Sequence, residues 1–512
     1  MKKLLVAAAC VALCACSSNE SPPGGGDAAN NGAGNNGSNN GAGNNGGNNG
    51  RANNGANNGP ANNGPANNGP ANNGANNGPA NNGPANNGAA DEFTYHRDIK
   101  PLLEARCNEC HRQGGIAPFA FDSFESVAAL SASIGDSVET GAMPPWLASD
   151  ECQDYHDVKT LTAEQRRAIT TWVTDGAPEG DATDPPRDWD IAAPRPFRTD
   201  VSLQIREPYT PKNAPDDYHC FLVDWPEDEE TFVTGFRVNP DNDAMLHHVI
   251  AFLVPPELAA EYEALDAGEE GPGYTCYGGP GGDVSRGFYW LGGWAPGNPG
   301  VVARESHGIR VPPGSKVALQ VHYNTINGTG TDQSSVEFTV EREVEQQAWV
   351  VPFTNPYWIF DDSMQIPSGR ESVTHNFQFD VTQYLSRITN GEMEDGAFLI
   401  HNASLHMHQL GVRARVSVKR TNGEECILDI PDWDFDWQRP FQLKEPILVQ
   451  PGDQVYLECT WDNSAANQPY DNVDTNGDGE VDEYRQVAPR DVSWGDGTRS
   501  EMCLAILYAT QP

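Results

Sequence analysis

Apolar and polar positions follow two different periods along this chain, and the period changes near residue 194. Between residues 93 and 181 apolar residues recur at helical spacing, beginning with Tyr95, Ile99, Leu102 and Leu103. Pro101 suits the first turn of this helix, where a backbone N–H would have no intrahelical partner. A second helix is predicted from Ser123 to about Ile134.

A third helical segment carries its own start and stop signals. Thr162 and Gln165 form the capping-box pattern, in which each side chain bonds the backbone N–H of the other residue. The apolar stripe and the terminating glycine and proline are Ile169, Trp172, Val173, Gly176 and Pro178. These three helices predict a small all-α domain in this part of the chain.

After Pro194 the pattern changes to short apolar or alternating runs, which Gly, Pro, Asn and Asp separate. The clearest runs are 232–238, 249–254, 317–323, 398–405, 412–418 and 454–459. Such runs favour strands, so antiparallel β-sandwiches are predicted for the larger, second part of the chain.

The first 16 residues have the features of an export signal. Two lysines precede an apolar run from Leu4 to Leu13, which is too short to remain as a membrane-spanning helix. The stretch ending at Cys16 is similar to a bacterial lipobox, with Cys16 as the lipidated residue and Cys14 as a weaker alternative. Ser17 in place of an aspartate favours outer-membrane anchoring, and an ordinary cleaved signal peptide is the other reading.

Residues 17–90 consist almost entirely of Asn, Gly, Ala and Pro in short repeats, so they cannot form a core. They are predicted to be a disordered tether between the lipid anchor and the folded part; repeat expansion without a selected length is equally open. The formal net charge of the chain is −40. That charge makes nucleic acid and anionic lipid surfaces poor partners.

The chain has 11 cysteines. Three lie in the signal region, and Cys107 and Cys110 belong to a separate motif. The even set that remains is Cys152, Cys220, Cys276, Cys426, Cys459 and Cys503, as expected for disulfides in an oxidising compartment.

The residues from Cys107 to His111 match the C-x-x-C-H pattern of covalent haem attachment, in which two thiols bond the haem and the histidine binds its iron. A zinc or redox C-x-x-C is the alternative, but no second cysteine pair lies at zinc spacing. Residues 91–182 resemble a small class I cytochrome c. That resemblance implies haem c with Met143 as second axial ligand, and His156 is the rival ligand.

Six side chains after residue 194 divide into a three-histidine set and a two-histidine-one-methionine set. The sets are His247, His248 and His322, and His406, His408 and Met502. Imidazole suits copper, and a thioether favours Cu(I), so two copper sites are predicted.

Spacing within each set has a geometric consequence. His406 and His408 are two apart, so on a strand their side chains leave one face and can share a metal. His247 and His248 are adjacent, so joint ligation needs a β-bulge or different ring nitrogens. Gln320 lies two residues before His322 and is a candidate hydrogen-bond partner of that ligand.

The sequences around these six residues occur in the order found in the copper type II, ascorbate-dependent monooxygenases, and residues 194–512 resemble that family. It includes peptidylglycine alpha-hydroxylating monooxygenase and dopamine beta-monooxygenase. The resemblance implies two tandem jelly-roll domains, 194–346 and 347–512. It also implies Cys459–Cys503 and Cys220–Cys276 disulfides, and leaves Cys152 and Cys426 unassigned.

The resemblance further implies that two coppers lie far apart across a solvent-filled cleft and that each supplies one electron. O2 is activated at the methionine-containing site, where His406, His408 and Met502 would act, and an aliphatic C–H bond of an organic substrate is hydroxylated. Ascorbate is the family's usual reductant. The haem motif suggests instead a periplasmic donor whose electrons pass through the haem to the three-histidine copper.

The chain departs from the peptide-amidating members at the positions that hold a substrate carboxylate. Those positions are Ser404, Leu504 and Ile506 here, so a glycine-extended peptide is disfavoured and the substrate stays unidentified. A non-catalytic electron-transfer or copper-binding lipoprotein is the alternative function.

A calcium loop is suggested by oxygen-bearing residues at alternate positions, Asp474, Asn476, Asp478 and Asp482. Arg485 stands where an EF-hand has its bidentate glutamate. Calcium and a plain acidic surface loop are therefore both open.

Overall fold

The computed structural model describes residues 93–512 except 114–116, 118, 192–194, 283–288, 297, 299, 304–305, 327, 390 and 474–482. The predicted signal, the Cys16 lipidation site, the tether and the calcium loop lie outside the described residues. Strands predominate over helices in the described part.

A helical part comes first. A π-helical turn, Tyr95–Ile99, leads into α1 (Lys100–Arg106), α2 (Phe124–Ala129), α3 (Ser131–Glu139) and α4 (Ala163–Thr174). The predicted apolar face of the first segment is buried in a core of its own, which also contains Ile169 and Trp172. The capping box of α4 is confirmed, and Gly176, at φ +87°, ends the helix.

The second predicted helix differs from expectation. It is two helices, α2 and α3, which together reach beyond Ile134 to Glu139. The break is at Leu130, whose backbone leaves the helical region (φ −99°, ψ 3°). No proline or glycine marks this break in the sequence, so apolar spacing alone did not locate it.

The first β part contains ten strands among the described residues and one α-helix, α5 (Ala259–Asp266). The strands are β1 (Val201–Gln204), β2 (Asp216–Asp224), β3 (Thr231–Asn239), β4 (Leu246–Val254), β5 (Tyr274–Thr275), β6 (Tyr289–Trp294), β7 (Val301–Val302), β8 (His307–Val311), β9 (Lys316–Asn324) and β10 (Ser335–Glu341). A short 3-10 turn, Pro256–Leu258, precedes α5.

The second β part contains ten further strands among the described residues. They are β11 (Gln346–Phe353), β12 (Val373–Phe379), β13 (Phe398–His406), β14 (Gly411–Arg420), β15 (Gly423–Ile430), β16 (Phe441–Val449), β17 (Gln454–Trp461), β18 (Tyr470–Val473), β19 (Glu483–Gln486) and β20 (Leu504–Thr510). The short helices are α6 (Pro356–Asp361), α7 (Leu385–Ile388) and the 3-10 turns Val381–Gln383 and Ala465–Asn467.

One sheet runs through both β parts. Its order is β1-β10-β3-β8-β11-β20-β13-β16, with β7 added on β3. A five-stranded sheet, β5-β2-β9-β4-β6, covers the first half, and a four-stranded sheet, β12-β17-β14-β15, covers the second. Apolar cores fill the two spaces, as the predicted sandwiches require. Strands β18 and β19 form a separate pair.

The two sandwiches meet within β11. Its first residues, Gln346 and Gln347, pair in parallel with His307 and Gly308 of β8, and its later residues pair with β20. Residue 347, where the sequence analysis puts the junction, therefore lies inside a strand. Backbone hydrogen bonds thus connect the two sandwiches directly.

A segment of the helical part, residues 146–158, packs onto the second sandwich, and we call it the strap. Its Tyr155 is buried in that sandwich's core and donates to the Ile427 carbonyl at 2.8 Å. Cys152 forms a disulfide with Cys426, the pair that sequence analysis left unassigned. The other two disulfides are Cys220–Cys276 and Cys459–Cys503, the pairs that the resemblance implies.

In the part of the chain that the structure describes, none of the helices combines the length and apolar composition that crossing a membrane requires.

The strap disulfide predicts the behaviour of a nicked chain. A protease site inserted after Thr183, in an exposed stretch, separates the helical part from the sandwiches in sequence. On a denaturing gel without reductant, the cut chain should still run as one species because Cys152–Cys426 joins its halves. The Cys152→Ser/Cys426→Ser variant, cut in the same way, should give two bands. Two bands from the nicked parent chain would contradict the pairing.

Candidate functional site

Strands β4 and β9 bring the three-histidine set together. Their register shifts between Leu246 and His248, so His247 is the extra residue of a β-bulge. The bulge lets both adjacent histidines face His322, with ring centroids 4.6 Å (His247) and 4.8 Å (His248) from it. The bulge, which is one of the two arrangements that would allow joint ligation, is therefore present.

Hydrogen bonding selects the nitrogen that each ring offers. His322 Nε2 lies 2.9 Å from Asp216 Oδ1, so its Nδ1 is left for a ligand and lies 3.4 Å from His248 Nδ1. Among the described residues the buried His247 Nδ1 has no hydrogen-bond partner. Ligand atoms of the three lie within 4.8 Å of one another. Metal–nitrogen bonds of about 2 Å would need only a small inward movement of the rings.

Burial sets the charge of these rings. It lowers the pKa of His247 and His248 well below the usual value, and the neighbouring imidazoles lower each pKa further. Burial also lowers the pKa of His322, although Asp216 opposes this. All three rings are therefore neutral near pH 7, which is the form that binds a metal.

Asp216 is a functional residue that the sequence analysis missed. Besides His322 it accepts from Thr498 Oγ1 at 2.6 Å and from Asn324 Nδ2 at 3.4 Å. The predicted partner of His322, Gln320, instead donates to the Gly279 carbonyl at 2.9 Å and lines the cavity described below. That prediction was wrong because the partner comes from neighbouring β2 across the sheet, not from the ligand's own strand.

The second set lies at the end of β13. The His406 and His408 rings have centroids 5.0 Å apart. Gln438 Oε1 lies 2.6 Å from His406 Nδ1, and the Ser500 carbonyl lies 2.8 Å from His408 Nδ1. Each ring therefore keeps Nε2 for a ligand, whereas His322 of the first set keeps Nδ1.

Met502 reaches this set through the pairing of β13 with β20. His406 pairs with Leu504, which lies two residues after Met502. Met502 and His406 line the same cavity. The structure thus brings together residues that are about 95 positions apart in the sequence.

A buried carboxylate, Glu501, holds the turn that carries His408. It accepts from the backbone N–H of His408 at 2.9 Å and of Leu410 at 2.7 Å, and from Trp461 Nε1 at 2.8 Å. Burial raises its pKa to about 7. In the sequence, Glu501 is a single acidic residue between a polar turn and Met502. Acidic residues in such positions are too common for Glu501 to be recognised from the sequence alone.

One cavity, of about 330 Å³, connects the two sets. The Phe435 ring lies between them, 5.3 Å from the His247 ring and 6.2 Å from the His408 ring. The resemblance implies widely separated coppers across a solvent-filled cleft. In this structure a single aromatic side chain stands between the sets instead, and it comes from the segment that joins β15 to β16.

The cavity wall is mainly apolar and aromatic, with Tyr218, Phe236, Phe252, Trp290 and Trp294 from the first sandwich. Ser404, Leu504 and Ile506, the positions that replace the family's carboxylate clamp, also line it. Their small or apolar side chains leave this wall without a charge.

The C-x-x-C-H motif follows α1. Cys107 and Cys110 are free thiols, whereas the other described cysteines form disulfides. Burial raises the pKa of Cys107 to about 12. His111 stacks on Phe121 with ring centroids 4.4 Å apart, and its Nδ1 lies 3.3 Å from the Phe119 carbonyl. His111 therefore keeps Nε2 for a ligand.

Of the two candidate axial ligands, Met143 lies nearer to this motif in the fold. The two prolines after it, Pro144 and Pro145, line a small cavity together with Cys110. His156 belongs to the strap, its N–H bonds the Gln442 carbonyl at 2.8 Å, and it lines the large cavity. The strap therefore turns His156 towards the second sandwich.

The Asp216–His322 hydrogen bond predicts an effect on metal affinity. Asp216→Asn keeps the shape but removes the charge that orients His322, so Cu(II) affinity of the three-histidine set should fall about 10- to 100-fold. Chelator competition monitored by electron paramagnetic resonance measures this. Asp224→Asn, at an exposed ion pair with Lys316, is the matched control and should not change it. Equal affinities in the two variants would contradict the role of Asp216.

Comparison with known proteins gives little further information. No family model matches the chain. Two solved structures with low similarity are PNGF-II, at 11% identity and TM-score 0.25, and a Paenibacillus xanthan lyase, at 9% identity and TM-score 0.13. The matches cover 61% and 64% of this chain, and 64% and 28% of those chains. The chain thus spans less than two thirds of either protein, and TM-scores this low do not indicate a shared fold.

Proposed function

We propose that this chain is a copper-dependent monooxygenase that hydroxylates an aliphatic C–H bond of an organic substrate with O2. The observation that carries the proposal is the pair of chemically distinct ligand sets on one largely apolar cavity. One set offers three imidazoles, of which His322 keeps its Nδ1, and the other offers two Nε2 atoms and a thioether. A storage or transport site has no need of this difference.

The residues fit copper. Neutral imidazoles and a methionine sulfur suit copper better than calcium or magnesium, which prefer oxygen ligands. Copper held at the two sets would supply single-electron transfer and, beside Met502, activation of O2. Asp216, Gln438 and Glu501 would keep the ligand rings in place, since each bonds a ligand ring or its backbone.

The cavity would bind the organic substrate and keep water away from the reacting bond. Ser404, Leu504 and Ile506 give no partner for a substrate carboxylate, which argues against a glycine-extended peptide. The two sandwiches are proposed to be the tandem jelly rolls of the monooxygenase family.

The helical part is proposed to be a class I cytochrome c-like domain. Cys107 and Cys110 would hold haem c covalently, and His111 and Met143 would be its axial ligands. Such a haem supplies single electrons at a potential that methionine ligation raises. The free thiols and the orientation of His111 support haem over zinc, because no cluster of zinc ligands surrounds the two thiols among the described residues.

Contacts between the helical part and the second sandwich support an entry point for electrons. Cys110 lines a small cavity with Trp437 and Arg439. Gln438, which lies between these two residues in the sequence, bonds His406. The route supported by these contacts leads from the haem motif to the His406 set. Domain order alone suggested the three-histidine set as first acceptor.

The cellular setting belongs to the proposal as well. Residues 1–16 are proposed as a lipoprotein signal with lipidation at Cys16, and 17–90 as a tether that holds the enzyme off the outer membrane. The reductant is then ascorbate or a periplasmic electron donor. The net charge of −40 argues against nucleic acid as a partner.

The proposed role of Met502 predicts a large loss of activity when its thioether is removed. With ascorbate as donor and a panel of apolar organic compounds, the copper-loaded, haem-containing chain should consume O2 and form hydroxylated product. Met502→Leu keeps the volume but removes the thioether, so product formation should fall about 100-fold or more. Mass spectrometry with ¹⁸O2 identifies the product.

A matched control is Met407→Leu. Met407 lies between His406 and His408 in the sequence, but its side chain is fully buried in the core of the second sandwich. Its substitution should change product formation by no more than twofold. Two bound coppers without any O2-dependent product in the parent chain would favour the alternative function, a non-catalytic electron-transfer or copper-binding lipoprotein.

The contacts of Gln438 predict where electrons from the haem arrive. Oxidised, Cu(II)-loaded chain is mixed in a stopped-flow instrument with one equivalent of a one-electron reductant that reduces the haem first. The subsequent loss of the reduced-haem absorbance should slow at least tenfold in His406→Gln, because Gln438 then has no ligand ring to contact. His322→Gln should leave the first phase unchanged. The opposite pattern would support the three-histidine set as first acceptor, and a haem that cannot reduce copper in any variant would end the electron-supply hypothesis.

A further inference from the structure

The cavity continues from Met502 along one face of β20. Alternate residues of this strand, Leu504, Ile506 and Tyr508, line it. Ser404 and Asn402 of β13 pair with Ile506 and Tyr508 and line it as well. At about 3.3 Å per residue, the wall from Leu504 to Tyr508 is roughly 13 Å long. The cavity is therefore elongated, with the ligand sets at one end.

The far end carries a buried polar group without a protein partner. The Tyr508 hydroxyl is inaccessible to solvent, and among the described residues it has no hydrogen-bond partner. Burial raises its pKa, so the phenol stays protonated. An unbonded buried hydroxyl costs free energy unless a ligand satisfies it.

Two histidines reach the same cavity from different sandwiches. His401 lies on β13, where the register shifts between Ile400 and Asn402, so a second β-bulge positions it. His307 begins β8 in the first sandwich, and the two ring centroids are 4.4 Å apart. His401 Nε2 lies 2.9 Å from Thr510 Oγ1. Because Asn402 pairs with Tyr508, these imidazoles border the Tyr508 end.

This end of the cavity suits neither a metal nor a strongly charged group. Among the described residues, the only group of three or more His, Cys, Asp or Glu side chains with metal-binding geometry is the three-histidine set. The described lining contains one cation, Arg439, and one carboxylate, Asp496, apart from its histidines. Arg439 lies over the Trp146 ring of the strap, at 5.8 Å, and borders the small cavity at Cys110. A carboxylate buried beside Tyr508 would lack a cationic partner.

We propose that the cavity binds a neutral molecule with an apolar body and one hydrogen-bonding oxygen, and that this oxygen sits between Tyr508 and the His307–His401 pair. The phenol donates to the oxygen, and an imidazole accepts when that oxygen belongs to a hydroxyl. The apolar body lies along Leu504 and Ile506 with its other end at Met502. That this other end is the hydroxylated one rests on the proposed function, whereas the binding itself does not.

Equilibrium dialysis of the full chain, with copper removed by a chelator, tests this proposal under argon without turnover, because no bound copper can then hold the decanoate carboxylate. The probes are radiolabelled 1-decanol and decanoate at pH 8. We expect one 1-decanol bound per chain and at least tenfold weaker binding of decanoate, because its charge has no buried partner. Tighter binding of decanoate, or no saturable binding of 1-decanol, would overturn the ligand class.

Variants locate the binding. Tyr508→Phe removes only the hydroxyl and should weaken 1-decanol binding about tenfold. Tyr484→Phe, at a tyrosine that is 71% exposed, is the matched control and should bind as the parent does. Ile506→Trp fills the middle of the cavity and should abolish binding of both probes. If Ile506→Trp abolishes binding but Tyr508→Phe does not weaken it, the proposed place of the oxygen is wrong.

The outcome is separable from that of the proposed function. Binding is measured without O2, so a chain that binds 1-decanol through Tyr508 but hydroxylates nothing would refute the monooxygenase and keep the ligand class. A chain that produces O2-dependent product through Met502 but prefers decanoate would keep the monooxygenase and refute the ligand class.

Discussion

The burial of five neutral imidazoles around one apolar cavity is the constraint on which the rest of this structure depends. Removing these rings from water lowers each pKa, and that of His408 falls to about 3, so the lone pairs stay free near pH 7. Buried polar rings must still be oriented. Asp216, Gln438 and the Ser500 carbonyl meet that need by bonding one nitrogen of a ring and leaving the other for a ligand.

Such a cavity needs walls that do not move apart, and the sheet arrangement supplies them. The nine-stranded sheet crosses from one sandwich to the other at β11, so the rings from β4 and β9 face those from β13 across a continuous framework. The strap adds a covalent link through Cys152–Cys426 and reaches the cavity with His156. A haem motif in a helical part that is linked in this way would stay at a fixed distance from the ligand sets, which suits electron transfer better than a freely tethered domain does.

Local irregularities of the strands give the cavity its chemistry. His247 and His401 each occupy a β-bulge, and each thereby turns an imidazole towards the cavity from a strand whose regular neighbours are core residues. Phe435 and Gln438 come from one loop of the second sandwich. Phe435 contacts His247 and His408, and Gln438 contacts His406, so this loop contacts both ligand sets. Function thus depends on a few exceptions within otherwise regular sheets.

The sequence by itself determined the strand runs, the capping box of α4, the two arrangements by which His247 and His248 could share a metal, and the division of the candidate ligands into two sets, because period, capping and ligand chemistry are local. It did not locate the break at Leu130, the strap, Asp216 as the partner of His322, or Tyr508 and His401 at the far end of the cavity. Only the tertiary structure decided these, because each depends on which distant segments of the chain become neighbours. Strand pairing brings together residues as far apart as Asp216 and Thr498, and no local pattern records that contact.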